Sequence, residues 1–219
     1  MLKRDYWKFL TCALILYAII AGFLVELPET MIGQTMRNLF FHVGMWFGMF
    51  AMLVTSFIYS LRYLGKFDEQ EDIIAVESAN VGLMFGVLGI LTGMLWARFT
   101  WGSFWVKDPK LNGVAVGMFI YLAYMVLRGS VEDIRKRAKI GAVYNIFAFI
   151  LWIVFVLLLP RLSGDSIHPG SDGSTVLPKH LEPSLQLVFY PAMAGWILLG
   201  FWILQLKIRI RKMTNDKPS

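Results

Sequence analysis

Apolar residues along this chain fall into long unbroken runs, not the alternating or one-faced patterns of elements that sit half in water. Six runs come close to the roughly 20 residues a helix needs to cross a bilayer. They cover 8–25, 39–61, 78–97, 111–127, 140–159 and 184–206. The pattern predicts an all-α fold: an integral membrane bundle of six transmembrane helices, built as a single domain over 1–219. The first run follows Met1-Leu2-Lys3-Arg4, as a signal peptide would, but it continues to Glu26-Leu27-Pro28 without a small-residue cleavage site. It is expected to be a retained helix. The polar connections after runs one, three and five cover 26–38, 98–110 and 160–183, and the last contains the turn-forming stretch His168-Pro169-Gly170-Ser171-Asp172-Gly173.

Charge gives these helices a direction. Of 21 Lys and Arg, fifteen lie at the N-terminus, in the connections starting at Arg62 and Arg128, and in the C-terminal tail. The other side of the bundle holds Arg37, Arg98, Lys107, Lys110, Arg161 and Lys179. Cytoplasmic loops carry such an excess, so both termini are expected in the cytoplasm and the three connections above on the outer face of a bacterial inner membrane. The net charge of +6 is thereby explained as a topology signal. Basic clusters in short loops beside spans meet membrane lipid, and no nucleic-acid partner is expected. Cys12 is the one cysteine, which excludes an internal disulfide, a C-x-x-C redox site and a covalent C-x-x-C-H haem attachment. Glycine pairs four apart (Gly44 and Gly48, Gly82 and Gly86, Gly89 and Gly93) read as close helix packing in lipid.

The candidate chemistry gathers on the outer side. The connection 98–110, with its lead-in, places Trp96, Arg98, Phe99, Trp101, Phe104, Trp105, Lys107, Asp108 and Lys110 close together. An aromatic belt at the interface is the plain reading of such residues. Their concentration in one loop points instead to a flat aromatic platform, with Trp101 and Trp105 grouped on one face if the segment makes a helical turn. Arg98, Lys107 and Lys110 edge that platform. Stacking on its rings and charge-assisted hydrogen bonds to its cations would suit a planar macrocycle carrying two propionates. Asp108, ahead of Pro109, would cap the next helix or anchor one of those cations. All three histidines, His42, His168 and His180, fall on this side. His42 lies about one turn inside a span, where an ionisable residue marks a functional site by default. His42 and His168 on either side of the platform would supply both axial ligands of a haem iron, while His180, between Pro178 and Pro183, reads as structural.

These residues resemble the tryptophan-rich-loop family of haem-handling membrane proteins of cytochrome c maturation, the CcmC/CcsA family, with the haem exporter protein C (CcmC) branch matching best. Its pattern, Trp-Gly-x-Trp-Trp-x-Trp-Asp-x-Arg-Leu-Thr, stands here as Trp101-Gly102-Ser103-Phe104-Trp105-Val106-Lys107-Asp108-Pro109-Lys110-Leu111-Asn112, preceded by Thr92-Gly93-Met94-Leu95-Trp96. Phe104 and Lys107 replace tryptophans, and Lys110 and Asn112 replace Arg and Thr. The resemblance implies a b-type, non-covalent haem with axial His42 and His168. It also implies delivery to a periplasmic haem chaperone (CcmE-like) and partnership with ABC-type subunits (CcmA/CcmB-like). No phosphate-binding loop is present in the chain, so ATP hydrolysis would belong to those partners. The run Asp108-Pro109-Lys110 is closer to CcsA-type haem lyases, which attach haem directly to apocytochrome c and set the alternative expectation.

Overall fold

The computed structural model describes residues 5–27, 33–170 and 181–215; His180 lies outside them. The chain is helical: α1 (Tyr6–Leu24), a 3-10 turn (Gly33–Asn38), α2 (Leu39–Lys66), α3 (Glu69–Trp101), α4 (Pro109–Ser130), α5 (Ile134–Ile153), a π-helical turn (Val154–Leu158), α6 (Leu159–Ser163) and α7 (Pro183–Asn215). The π turn joins α5 and α6 into one rod, and among the described residues six helices are long and apolar enough to cross a membrane. The protein is a multi-pass all-α membrane protein. α2 packs against α3, α5 and α7, while α1 packs on α7 and α4 on α5. α3 is the most enclosed helix and α1 the least, with 67% and 17% of their apolar windows buried.

The helices overrun the apolar runs at several ends. The expected connection from Arg62 shrinks to Phe67 and Asp68, because α2 continues to Lys66 and α3 begins at Glu69. A hydropathy scan stops short there because Glu71, Asp72 and Glu77 occupy the first turns of α3. Each finds a cation on another helix. Arg62 of α2 reaches Glu71 at 2.7 Å, and Arg211 and Lys207 of α7 hold Glu77 at 2.6 and 3.2 Å. Arg128 of α4 grips Asp72 with two parallel bonds of 2.8 and 2.7 Å, both side chains being buried. Gly141 of α5 makes room for that guanidinium, since a Cβ there would collide with it. Aspartates cap the helices that follow tight links: Asp68 accepts from Gln70 N, Asp133 from Lys136 N, and Asp108 from Lys110 N and Leu111 N.

Inside the bundle, polar groups act as interhelical ties. Asn145 of α5 donates to Ser56 Oγ and Ser60 Oγ of α2 at 2.7 and 2.8 Å, and Ser56 Oγ donates to Ala75 O of α3 at 2.6 Å. The core around them is rich in methionine and aromatics, with Met49, Met52, Phe85, Tyr121, Tyr124 and Trp152 all buried. Proline is accommodated without an orphaned carbonyl in α7. Pro191 cannot donate to Leu187 O, and Tyr17 Oη of α1 donates to that oxygen at 3.1 Å instead. Near Pro160 the chain widens into the π turn, where Leu159 N–H bonds to Val154 O.

The glycine pairs pack as expected. A Cβ on Gly44 would strike the Trp196 ring, one on Gly82 would meet Leu53 Cδ2 at 2.9 Å, and one on Gly48 would meet Phe85 at 3.1 Å. The buried Asp72–Arg128 pair is expected to dominate the stability of its end of the bundle. Asp72→Ala strands Arg128 in a buried site and should cost about 3–5 kcal/mol. Arg62→Ala removes a half-exposed partner and should cost about 1 kcal/mol or less. Thermal unfolding of the two variants in detergent, followed by circular dichroism, tests the order; equal losses would contradict it.

Candidate functional site

The end of the bundle opposite those ion pairs collects the start of α2, the end of α3, the start of α4 and the segment after α6. His42 stands one turn into α2 and packs directly on α3, where a Cβ on Gly93 would meet His42 Cε1 at 2.7 Å. One turn further along both helices, Gly89 makes the same space for Trp46, whose ring would be 2.8 Å from a Cβ there. The four-residue glycine spacing of α3 therefore matches the four-residue spacing of His42 and Trp46 on α2. Asn38 pins the start of α2 by donating to Thr92 O at 3.1 Å.

His168 is brought to the same place by Asp108. This carboxylate is 1% exposed and does more than cap α4. It accepts from Ser166 Oγ at 3.1 and 3.0 Å and from Ile167 N at 2.8 Å, tying the segment after α6 to the first turn of α4. Ser166 Oγ also accepts from His168 N at 3.3 Å. The result places the His42 and His168 rings 6.4 Å apart, centre to centre, tilted by 38°. Trp46 stands edge-on to His42 at 6.1 Å, and Trp96 and Trp101 lie 6.2 and 6.3 Å from His168.

Both imidazoles have a defined tautomer. Thr92 Oγ1 has Leu88 O and Gly89 O as acceptors at 2.9 and 3.0 Å, and with its hydrogen on either of them it accepts the 3.1 Å bond from His42 Nδ1. Pro169 O can only accept, so His168 Nδ1 donates to it at 2.8 Å. A neutral imidazole has one N–H, and Nε2 is therefore the basic nitrogen on each ring. Burial holds the His168 pKa below the ordinary histidine value. The bond to Pro169 and the Asp108 charge act against that shift, and the Lys110 charge adds to it.

The aromatic residues do not form one flat platform. α3 runs through Arg98 to Trp101 and ends at Gly102, whose φ of +77° turns the chain out of the helix. That break falls between Trp101 and Trp105 and removes them from a common helical face. Trp96 and Trp101 pack on each other edge to face, with centres 4.9 Å apart and planes at 80°, so they form a corner against His168. Phe104 and Trp105 lie on the outer surface, 51% and 37% exposed, with Trp105 Nε1 donating to Asn112 Oδ1 at 3.3 Å. The cations divide similarly. Arg98 donates to Gly102 O and lies 5.9 Å from the Phe104 ring, and Lys107 is exposed. Lys110, half buried, is within electrostatic reach of both histidines, and Arg161 is within reach of Lys110. Sequence reasoning had not assigned roles here to Trp46, Thr92, Asn38, Ser166 or Arg161. Trp46 was accessible in principle, being one helical turn from His42; the others act through contacts between distant segments.

The profile of the family described as Heme exporter protein C matches residues 3–217. Among similar proteins is the Heme exporter protein C of Bradyrhizobium diazoefficiens, 36% identical over 115 residues, covering 52% of this chain and 43% of that protein. The protein of that name from Paracoccus denitrificans is 27% identical over 187 residues, covering 81% of this chain and 73% of its own length. That from Haemophilus influenzae is 22% identical over 218 residues, covering 96% and 85%.

Asp108 should control the position of His168 without touching it. Asp108→Ala removes the cap, worth about 1 kcal/mol, and releases Ser166 and Ile167. It is expected to raise the rate at which His168 is modified by diethyl pyrocarbonate several-fold and to lower the melting temperature. Lys107→Ala should change neither. An unchanged His168 rate in the Asp108 variant would show that the segment is held by other contacts.

Proposed function

Because the chain belongs to the haem exporter protein C family, we propose that it holds haem between His42 and His168 at the outer face of the bacterial inner membrane. It then passes the haem to a periplasmic haem chaperone during cytochrome c maturation. The observation that carries this reading is the pair of histidine rings 6.4 Å apart, each with Nδ1 engaged in a hydrogen bond. Two imidazoles on opposite sides of one metal put their ligating nitrogens about 4 Å apart, from metal–nitrogen bonds of about 2 Å. Their ring centres then lie one ring radius further out on each side. A separation of 6.4 Å suits that arrangement.

No group of three or more His, Cys, Asp or Glu able to hold a metal occurs among the described residues. A porphyrin supplies four nitrogens in a plane and needs two axial donors, which matches a site of two histidines. The chain has no cysteine pair for a C-x-x-C-H attachment, in keeping with the non-covalent, b-type haem that the family resemblance implies. Trp46, Trp96 and Trp101 provide apolar walls that exclude water from the axial bonds. Lys110, with Arg161 nearby, offers positive charge to the propionates. The excess of Lys and Arg at the other end supports cytoplasmic termini and a periplasmic site. Exposed Phe104 and Trp105 leave an aromatic surface beside the site on which a CcmE-like chaperone would receive haem. CcmA/CcmB-like ABC subunits would supply the energy for its release.

The spectrum of the purified protein tests this directly. A Soret band typical of two histidine ligands is expected in the wild type, and its loss in the variant carrying both His42→Ala and His168→Ala. A band unchanged in that variant would overturn the axial assignment. Thr92→Val removes the acceptor that orients His42 and should weaken haem binding by about 10–100-fold, read by haem titration. Co-purification of a haem chaperone, in place of an apocytochrome, separates this function from the lyase alternative.

The pH dependence follows from His168. A protonated imidazole cannot ligate iron, so protonation competes with binding as pH falls. Burial lowers the His168 pKa, which moves that competition below the ordinary value of about 6.5. An unfolded chain binds this proton more readily than the folded one, so stability also declines as pH drops below that value. The two-histidine spectrum should persist from pH 8 through pH 6.5 and fade only under more acidic conditions. A midpoint above pH 6.5 in a titration followed at the Soret band would contradict the burial of His168.

A further inference from the structure

A groove of about 480 Å³ opens on the side of the bundle between α2 and α7, at the end remote from the histidines. Its floor is Ile74 of α3, and Ile58 and Tyr59 of α2 form one wall. The other wall is a stripe of α7 that starts at Phe201 and ends in Arg209 and Lys212. That stripe follows about 16 Å of helix axis. The 33 residues of α7 measure about 50 Å, against a hydrocarbon core of about 30 Å. Its basic end is therefore carried to the level of the lipid headgroups, with the apolar stripe lying in the acyl region.

The charges on this stretch of α7 divide by face. Lys207 and Arg211, four apart, turn to Glu77 of α3 and are paired there. Arg209 and Lys212, three apart, turn to the groove, are exposed, and form no salt bridge among the described residues. Between these cations and the apolar floor, Gln205 Oε1 is buried without a hydrogen-bond partner and belongs to the lining. A buried acceptor of this kind costs free energy unless a donor reaches it. The groove thus offers an apolar channel for a chain and, at headgroup level, two cations that form no salt bridge among the described residues.

We propose that this groove is a binding site for an anionic phospholipid of the phosphatidylglycerol type. One acyl chain lies over Ile58, Ile74 and Phe201, and the phosphate sits between Arg209 and Lys212. Phosphatidylcholine carries no net negative charge, and it is the discriminating competitor. The second acyl chain remains in the bilayer, since the groove accommodates one.

The full-length protein in detergent, titrated with palmitoyl-oleoyl phosphatidylglycerol or the matching phosphatidylcholine, tests the site by native mass spectrometry of retained lipid. The wild type is expected to retain phosphatidylglycerol in preference to phosphatidylcholine. The variant carrying both Arg209→Gln and Lys212→Gln should lose that preference by about tenfold or more. A control carrying Arg135→Gln and Lys136→Gln removes the same charge from the same end of the molecule and should keep the preference. Equal losses in the two variants would reduce the effect to general surface charge and overturn the site. Ile58→Trp, which fills the channel and leaves every charge in place, should also reduce retention. Unchanged retention there, or displacement of the lipid by millimolar inorganic phosphate, would mean a bare anion site and overturn the acyl channel. A variant-dependent change in oligomer mass with no change in bound lipid would assign the groove to a second copy of the chain and overturn the proposal as well.

Discussion

Within a bilayer no water is available to satisfy a polar group, and the chain must provide every partner itself. This constraint explains the arrangement of the bundle more fully than apolar packing does, because lipid tails are as apolar as the core. Asp72 is tolerated in α3 because Arg128 of α4 meets it with two bonds, and Gly141 of α5 leaves space for the guanidinium. Ser56 and Ser60 accept both amide hydrogens of Asn145, although its Oδ1 has no hydrogen-bond partner among the described residues. Pro191 can sit within α7 because Tyr17 of α1 takes over the carbonyl that the proline leaves bare. Each of these ties joins two different helices, so satisfying the polar groups and fixing the positions of the helices are the same event.

The histidine site uses this constraint and stops one bond short of completing it. Thr92 and Pro169 each engage an Nδ1, which fixes the tautomer and leaves both Nε2 atoms basic. The supports on the two sides differ in kind. His42 is held by helix packing, with α3 glycines allowing its ring and that of Trp46 to approach the backbone. His168 belongs to an irregular segment and is held by a single buried carboxylate that serves α4 as well. A rigid ligand on one side and a latched segment on the other would give a haem carrier a firm grip and a defined place to let go.

The two ends of the molecule handle charge in opposite ways. At the end remote from the histidines, acidic residues of α3 are consumed by cations from three other helices. Arg209 and Lys212, with no such partner among the described residues, face outward beside an apolar groove. At the histidine end, Asp108 is wholly engaged in hydrogen bonds, and Lys110 remains as positive charge within reach of both imidazoles. The first arrangement stabilises a bundle and, in the reading proposed above, meets lipid; the second would keep a charge available for a ligand.

Helix number and type were legible in the apolar runs, because a backbone without water has to bond to itself and a helix does this within one segment. The Asp108-Pro109 cap and the close-packing glycines were equally legible, since both depend on local geometry. Helix ends were not. Residues 62–66 and 69–77 look too polar for a span, and they are helical because partners elsewhere neutralise Glu71, Asp72 and Glu77. The sequence also pointed to both histidines and to the aromatic segment, while the shape of that segment came from Gly102, which separates Trp101 from Trp105. Composition named three candidate cations, and tertiary contacts put Lys110 within reach of the rings and turned Arg98 toward Gly102 and Phe104. Local chemistry determines which elements form and which residues are reactive. The meeting of His42, Thr92, Asp108 and His168 depends on residues some 16 to 126 positions apart packing together, and only the folded bundle could decide that.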